Sequence, residues 1–217
     1  MKYKIVVFDL DGTLVNSIYD LAEATNEGLK AAGLPTHPVE AYKTFVGNGR
    51  EVLVKKAMHP CTDEKKRSIV AETFDSYYAL HLNDHTEAYD GCRELLEKLR
   101  DSGIKTAVLS NKPDEFVGAI LDKTYPGFSF TAAWGKKPEL PRKPDGASLN
   151  KMLFDLGLER SDCLYIGDSD VDVFTAINAG VDMLGVEWGF RGRRELLSAG
   201  APKVAATPQE IWRYIND

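Results

Sequence analysis

Apolar residues recur along this chain in two rhythms. Ile5–Phe8 and the segments 104–109, 163–166 and 183–186 are short runs dominated by β-branched, aromatic and aliphatic side chains. A strand wetted on one side alternates apolar with polar, whereas a nearly continuous run predicts a strand covered on both faces, as in a parallel sheet. Between these runs the apolar residues return every three or four positions. Asp90 stands as N-cap before a helix over 92–100 that Ser102-Gly103 closes. Pro144-Asp145 opens a helix to about Leu156, ended by Gly157. Residues 170–179 form another, stopped by Gly180, and Pro208 starts a last one over 209–215. Strand alternating with helix predicts βαβ units: an α/β chain whose parallel sheet carries helices on both faces.

One stretch breaks the alternation. Residues 16–85 show helical periodicity and no convincing strand. Ser17 heads a helix to Ala32 that stops at Gly33-Leu34-Pro35; 39–45 and 50–58 are helical on either side of Gly47-Asn48-Gly49; Asp63 begins a long amphipathic helix to about Leu82. An all-helical block entering directly after the first strand predicts an inserted cap over 16–85, with 1–15 and 86–217 forming the core domain.

The 217 residues can bury a full core without disulfides. The net charge of −6 argues against non-specific nucleic-acid binding, which needs clustered positive charge. Three widely separated cysteines, with no CxxC pair, suit a reducing cytoplasm better than a disulfide framework or a zinc site. The apolar run at 5–8 is too short for a signal-peptide core, and no run approaches a membrane span. His37, His59, His81 and His85 share no metal-binding spacing and read as surface residues.

Open parallel sheets bind ligands beyond the carboxyl ends of their strands. There the first strand delivers Asp9-Leu10-Asp11-Gly12-Thr13, the next Ser110-Asn111-Lys112-Pro113, and the strand from Cys163 delivers Gly167-Asp168-Ser169-Asp170-Val171-Asp172. Arg142-Lys143-Pro144 lies in a loop before a helix. Carboxylates, a hydroxyl and a lysine on one rim suit joint binding of a divalent cation and a phosphate. A bare Asp-Gly is an ordinary turn, but a buried strand running into Asp-x-Asp-Gly-Thr-Leu is far more specific.

Asp9-Leu10-Asp11-Gly12-Thr13-Leu14 resembles the first signature of the haloacid dehalogenase-like hydrolases. Ser110, Lys143 and the 167–172 segment resemble the second, third and fourth, in order. The resemblance spans the chain and implies a Rossmann-like core with a helical cap. Asn16, where many relatives carry Asp, and Gly146, where a second Pro is frequent, depart from the pattern. It implies Asp9 as nucleophile, forming an aspartyl phosphate, and Asp11 as general acid and then general base. Mg2+ would be held by the Asp9 carboxylate, the Asp11 carbonyl oxygen and Asp168, with Asp172 assisting through water. Ser110 and the Asn111 amide would contact a phosphoryl oxygen. Lys143 is preferred over Lys137, also followed by Pro, because Pro144 and Asp145 are expected to begin a helix directly after Lys143 and aim its positive end at the rim.

Substrate choice falls to the cap and nearby loops. Gly47-Asn48-Gly49-Arg50 resembles the specificity loop of the phosphoglycolate phosphatase-like subfamily, with Gly47, Asn48, Arg50 and Thr13 as candidate substrate contacts. Trp188-Gly189 followed by Leu196-Leu197-Ser198-Ala199-Gly200-Ala201 resembles the same group and related pyrophosphatases alike, and Arg191 is either a surface arginine or a further candidate anion contact. The expectation is a cytoplasmic, Mg2+-dependent phosphatase of a small phosphorylated metabolite, 2-phosphoglycolate foremost, acting as monomer or homodimer without nucleic acid or membrane. Pyrophosphate, sugar phosphates, nucleotides and a phosphoglucomutase-type transfer remain alternatives. So does a non-catalytic phosphate-binding or receiver-like protein, although a receiver lacks the long helical insertion.

Overall fold

The computed structural model describes residues 2–216. The chain folds as two compact units: residues up to Val15 together with those from Ala88 onward, and the insertion Asn16–Glu87. It opens with β1 (Ile5–Phe8), wholly buried, and leaves the first unit through β2 (Val15–Asn16). The insertion is built of α1 (Ile18–Ala31), α2 (Val39–Phe45), α3 (Arg50–Met58) and α4 (Glu64–His81), and the chain returns through β3 (Glu87–Ala88). The core continues with α5 (Cys92–Asp101), β4 (Lys105–Pro113), α6 (Asp114–Thr124), β5 (Ala132–Lys136) and α7 (Ala147–Asp155). It ends with β6 (Cys163–Gly167), α8 (Asp170–Ala179), β7 (Asp182–Val186), α9 (Gly192–Ala199), β8 (Val204–Ala205) and α10 (Pro208–Asn216). No helix among the described residues is long and apolar enough to cross a membrane.

The sheet runs in the order β5-β4-β1-β6-β7-β8, and its paired strands are parallel. β1 therefore lies between β4 and β6, so the chain winds outward on one side of β1 and then on the other. That reversal opens a crevice at the carboxyl ends of the three strands. Phe8 registers with Val108 and with Ile166, and Asp9 N–H continues the ladder to the Ile166 carbonyl at 2.8 Å. On one face of the sheet Ile5, Val7, Cys163 and Tyr165 pack with Leu149, Met152, Val173 and Ala176 from α7 and α8. Burying each of the larger apolar side chains contributes about 1.5–3 kcal/mol, which makes β1 a stiff base for Asp9.

Within the insertion, α1 packs on α4. Gly28 permits the close approach, since a Cβ there would meet the Val70 carbonyl oxygen at 2.5 Å. Asp20, buried in the first turn of α1, accepts hydrogen bonds from His85 N–H at 2.9 Å and Thr86 Oγ1 at 2.6 Å. These bonds tie the start of the insertion to its end.

Several boundaries differ from the sequence reading. The helix expected at Pro144 begins at Ala147, because a turn from Arg142 O to Asp145 N–H and the Asp145 carboxylate on Ala147 N–H occupy the intervening residues. Gly146 permits tight packing there, for a Cβ would stand 2.4 Å from Ala179 N. Gly91, at φ 78°, rather than Asp90, precedes α5. The Ser169 side chain caps α8, with Asp172 closing the capping box. The short β5 and β8, with α6 and α9, complete the core without having been marked by a strong apolar rhythm. His37 is not a plain surface residue: its ring bonds Ala57 O at 2.7 Å and packs edge-on against Tyr42 and Phe45.

Candidate active site

Asp9 leaves the end of β1 with its side chain almost buried. After it the chain reverses tightly. The Leu10 carbonyl accepts from the Thr13, Leu14 and Val15 amides, and Gly12 N–H bonds Val15 O. Gly12 holds φ 84°, and a Cβ there would stand 2.4 Å from an Asp168 carboxylate oxygen. The turn thus needs glycine for both its dihedral and its emptiness.

Asp9, Asp168 and Asp172 come together: one carboxylate oxygen from each lies within 4.8 Å of the others, and all three residues are buried. Lys143, 2% exposed, places Nζ 2.8 Å from Asp9 Oδ1 and 2.8 Å from Asp172 Oδ1. Tyr165 Oη lies 3.1 Å from both Lys143 Nζ and Asp172 Oδ1. Lys143 is itself located by Asn111, whose amide oxygen accepts from Lys143 N–H at 2.8 Å and whose Nδ2 donates to Lys143 O at 3.0 Å. This reciprocal pair places Lys143, in place of the helix start expected beside it.

Each carboxylate is held differently. Asp9 Oδ1 also accepts from Leu10 N–H at 2.7 Å, while Oδ2 makes no hydrogen bond among the described residues. Asp172 is fully occupied, because its Oδ2 accepts from Asp168 N–H, Ser169 N–H and Ser169 Oγ at 3.2, 3.1 and 2.8 Å. Asp168 Oδ1 accepts from Thr13 Oγ1 at 3.2 Å and its Oδ2 from Phe190 N–H at 2.8 Å.

The charges are mutually dependent. Burial, then Asp172, push Asp9 up to about 7 against the pull of Lys143. Burial, then Asp172 and Asp9, hold Asp168 well above the usual carboxylate range. Burial works against the Lys143 ammonium, but Asp172 and Asp9 outweigh it and keep that group well above its ordinary value. Three buried carboxyls gathered around the Lys143 ammonium are short of positive charge. A hard divalent cation fits this set, because the donors are all oxygens, and among the described residues Asp9 retains an oxygen without a hydrogen-bond donor.

The remaining predicted residues fall in several places. Asp11 does not join the carboxylate group; its Oδ1 lies 3.2 Å from Lys112 Nζ. Ser110 and Asn111 are buried at the end of β4, where Ser110 Oγ accepts from Lys112 N–H at 3.2 Å. The Thr13 hydroxyl, expected to meet substrate, is directed at Asp168. Gly47, Asn48 and Arg50 lie in the insertion between α2 and the start of α3, where Arg50 pairs with Asp75 at 2.7 Å. The Arg191 side chain is only 8% exposed, and its Nε lies 3.5 Å from Glu195.

Lys112 is the residue the sequence reading passed over. Lys-Pro after an apolar run reads as a solvated turn, yet β4 continues to Pro113 and carries Lys112 into the site with 3% of its side chain exposed. The signal was the uninterrupted Leu109-Ser110-Asn111-Lys112-Pro113 string, had the strand been extended through it.

The haloacid dehalogenase-like hydrolase family model matches residues 6–186. The phosphoglycolate phosphatase of Pseudomonas syringae pv. tomato is 36% identical over 198 residues, covering 89% of this chain and 72% of that protein. That of Vibrio parahaemolyticus is 32% identical over 209 residues, covering 94% and 91%. A crystal structure from Lactobacillus delbrueckii subsp. bulgaricus, whose assignment as a phosphoglycolate phosphatase is itself provisional, superposes with a TM-score of 0.93 at 33% identity and covers 99% of both chains.

Proposed function

The chain belongs to the haloacid dehalogenase-like hydrolases. From that membership we propose that it is a Mg2+-dependent phosphatase that hydrolyses a small phosphomonoester, 2-phosphoglycolate foremost, through an aspartyl phosphate on Asp9. The observation that carries the reading is the buried meeting of Asp9, Lys143, Asp168 and Asp172 at the crevice of the sheet. Asp9, Asp168 and the Asp11 carbonyl would hold the cation. Asp172 supports them from behind, since its own oxygens are engaged by Lys143, Tyr165 and Ser169. When bound, Mg2+ supplies positive charge against the carboxylates and the phosphate.

The chain's own groups do the rest. Lys143 and the Leu10 amide fix the Asp9 carboxylate in one orientation, which suits in-line attack on phosphorus. The Asp9–phosphorus bond forms as the bond from phosphorus to the leaving oxygen breaks, and Asp11 gives that oxygen its proton. Asp11 then takes a proton from the water that attacks the acyl phosphate, which frees Asp9 and releases phosphate. Lys112 beside Asp11 adds a second ammonium to the rim, so the phosphate, carrying about −2, meets two lysines as well as the cation. The Ser110 hydroxyl and the Asn111 amide are proposed contacts of the phosphoryl oxygens. Gly47, Asn48 and Arg50 of the cap are proposed to read the remainder of the substrate, and the relatives named above favour 2-phosphoglycolate.

The test is phosphate release from a panel of 2-phosphoglycolate, sugar phosphates, nucleoside monophosphates and pyrophosphate, with Mg2+ and with chelator. The expected result is preference for 2-phosphoglycolate and loss of turnover in chelator. Equal rates on every compound overturn the substrate, and indifference to chelator overturns the metal. Asp9→Ala should leave the fold intact and abolish turnover; residual activity above roughly a hundredth of wild type contradicts covalent catalysis by Asp9.

A further inference from the structure

We propose that Trp188-Gly189-Phe190, in the loop after β7, is a strap that positions the Asp168 carboxylate for the metal; the inference rests on the metal reading above. Among the described residues Asp168 has one donor on each oxygen, and the strap governs both. Phe190 N–H donates directly to Oδ2 at 2.8 Å. Thr13 Oγ1 donates to Oδ1 at 3.2 Å, and Trp188 Nε1–H in turn donates to the Thr13 carbonyl at 3.1 Å. One arm is direct, and the other passes through the turn that follows Asp9.

Gly189 shows how closely the strap is fitted. It is not among the glycines with positive φ, so the backbone dihedral does not demand glycine. Space does. A Cβ at Gly189 would stand 2.3 Å from Asp168 Cβ, 2.3 Å from the Gly12 carbonyl oxygen and 2.5 Å from Asp168 Oδ2. On the other side a Cβ at Gly12 would stand 2.4 Å from the same Oδ2. The Asp168 side chain therefore lies in a slot between two bare α-carbons contributed by loops far apart in sequence. The strap is rooted as well: Glu187 N–H bonds Ala205 O at 3.0 Å, next to β7, and α9 begins at Gly192. A carboxylate gripped in this way keeps its oxygens in one orientation as charge arrives. Partners of this kind, one bond removed from a metal, typically set affinity by about 10–100-fold.

The experiment titrates chelator-stripped full-length protein with Mg2+ by calorimetry, for wild type, Gly189→Ala and Trp188→Phe. Gly189→Ala must push the strap off Asp168, while Trp188→Phe keeps an aromatic ring and removes only the N–H. The expected result is Mg2+ affinity at least about tenfold weaker in Gly189→Ala and weaker by a smaller factor in Trp188→Phe. In both, kcat should climb back toward wild type at high Mg2+, with KM for the phosphomonoester little changed. A merely structural role would lower thermal stability without shifting Mg2+ affinity, and it would give no recovery with excess metal. Unaltered affinity in both variants overturns the proposal. Should Gly189→Ala not fold, the Trp188→Phe titration decides alone. A wild-type protein that takes up no Mg2+ overturns the metal reading and the strap with it, an outcome distinct from variants that bind like wild type.

Discussion

Lys143→Met removes an ammonium that contacts both Asp9 and Asp172 and keeps the length of the side chain. The two ion contacts, each 2.8 Å, are worth about 6 kcal/mol apiece before solvation at an effective dielectric near 20. Withdrawing the charges from water offsets several kcal/mol per ion, so removing one partner of such a buried group costs about 3–5 kcal/mol net. The loss should depend on pH. Lys143 pulls Asp9 down against burial, so its removal raises Asp9 above its present value of about 7. A carboxyl with a folded-state value above the unfolded one binds its proton more tightly when folded. It gains stability as pH falls through that folded value and loses it as pH rises. The variant's extra gain accrues between its own, higher Asp9 value and 7, so its deficit against wild type should be full near pH 9 and smaller at pH 6. Urea unfolding of both proteins in chelator at these two pH values measures it. A deficit below about 1 kcal/mol at pH 9, or the same deficit at pH 6, would refute the argument that charge balance stabilises this site.

Mg2+ must displace protons from Asp9, pushed up to about 7, and from Asp168, which burial beside Asp172 and Asp9 holds well above the usual carboxylate range. Its apparent affinity should fall about tenfold per pH unit below 7 for each proton released, and calorimetry between pH 8 and 6 showing a flat affinity would contradict this. Tyr165→Phe deletes a hydroxyl 3.1 Å from Lys143 and Asp172 but leaves that pair intact. It should cost about 1 kcal/mol in urea unfolding, and a loss as large as that of Lys143→Met would show that the hydroxyl, not the ion pair, organises the cluster. Lys112→Met should lower kcat/KM by about a hundredfold if its ammonium meets the phosphate; unchanged kinetics would confine Lys112 to its pair with Asp11.

Much of the molecule is legible in local pattern. The uninterrupted apolar runs mark β1, β6 and β7 because these strands are covered on both faces. Helical spacing marks α2 and α3 to their observed ends and α1, α4 and α8 within a residue or so, because burial on one face and a stop residue act over a few positions. Asp9, Asp11, Asp168 and Asp172 stand out because an acidic cluster at the end of a buried strand has few structural uses. The short β5 and β8 are not legible in this way: Ala132-Ala133-Trp134-Gly135-Lys136 carries no strand rhythm, and pairing with β4 makes it a strand.

The sequence by itself determined the alternating core, the helical insertion and the acidic strand ends, since each depends on neighbours along the chain. Only the tertiary structure decided which groups touch. Asn111 locks Lys143 in place of a helix end, Lys112 turns inward, Thr13 serves Asp168, and two glycines separated by 177 positions, Gly12 and Gly189, enclose one carboxylate. These pairings depend on strand order and on loops meeting across the sheet. No local periodicity encodes them, because their energies arise only when residues distant in sequence exclude water from the same few ångströms.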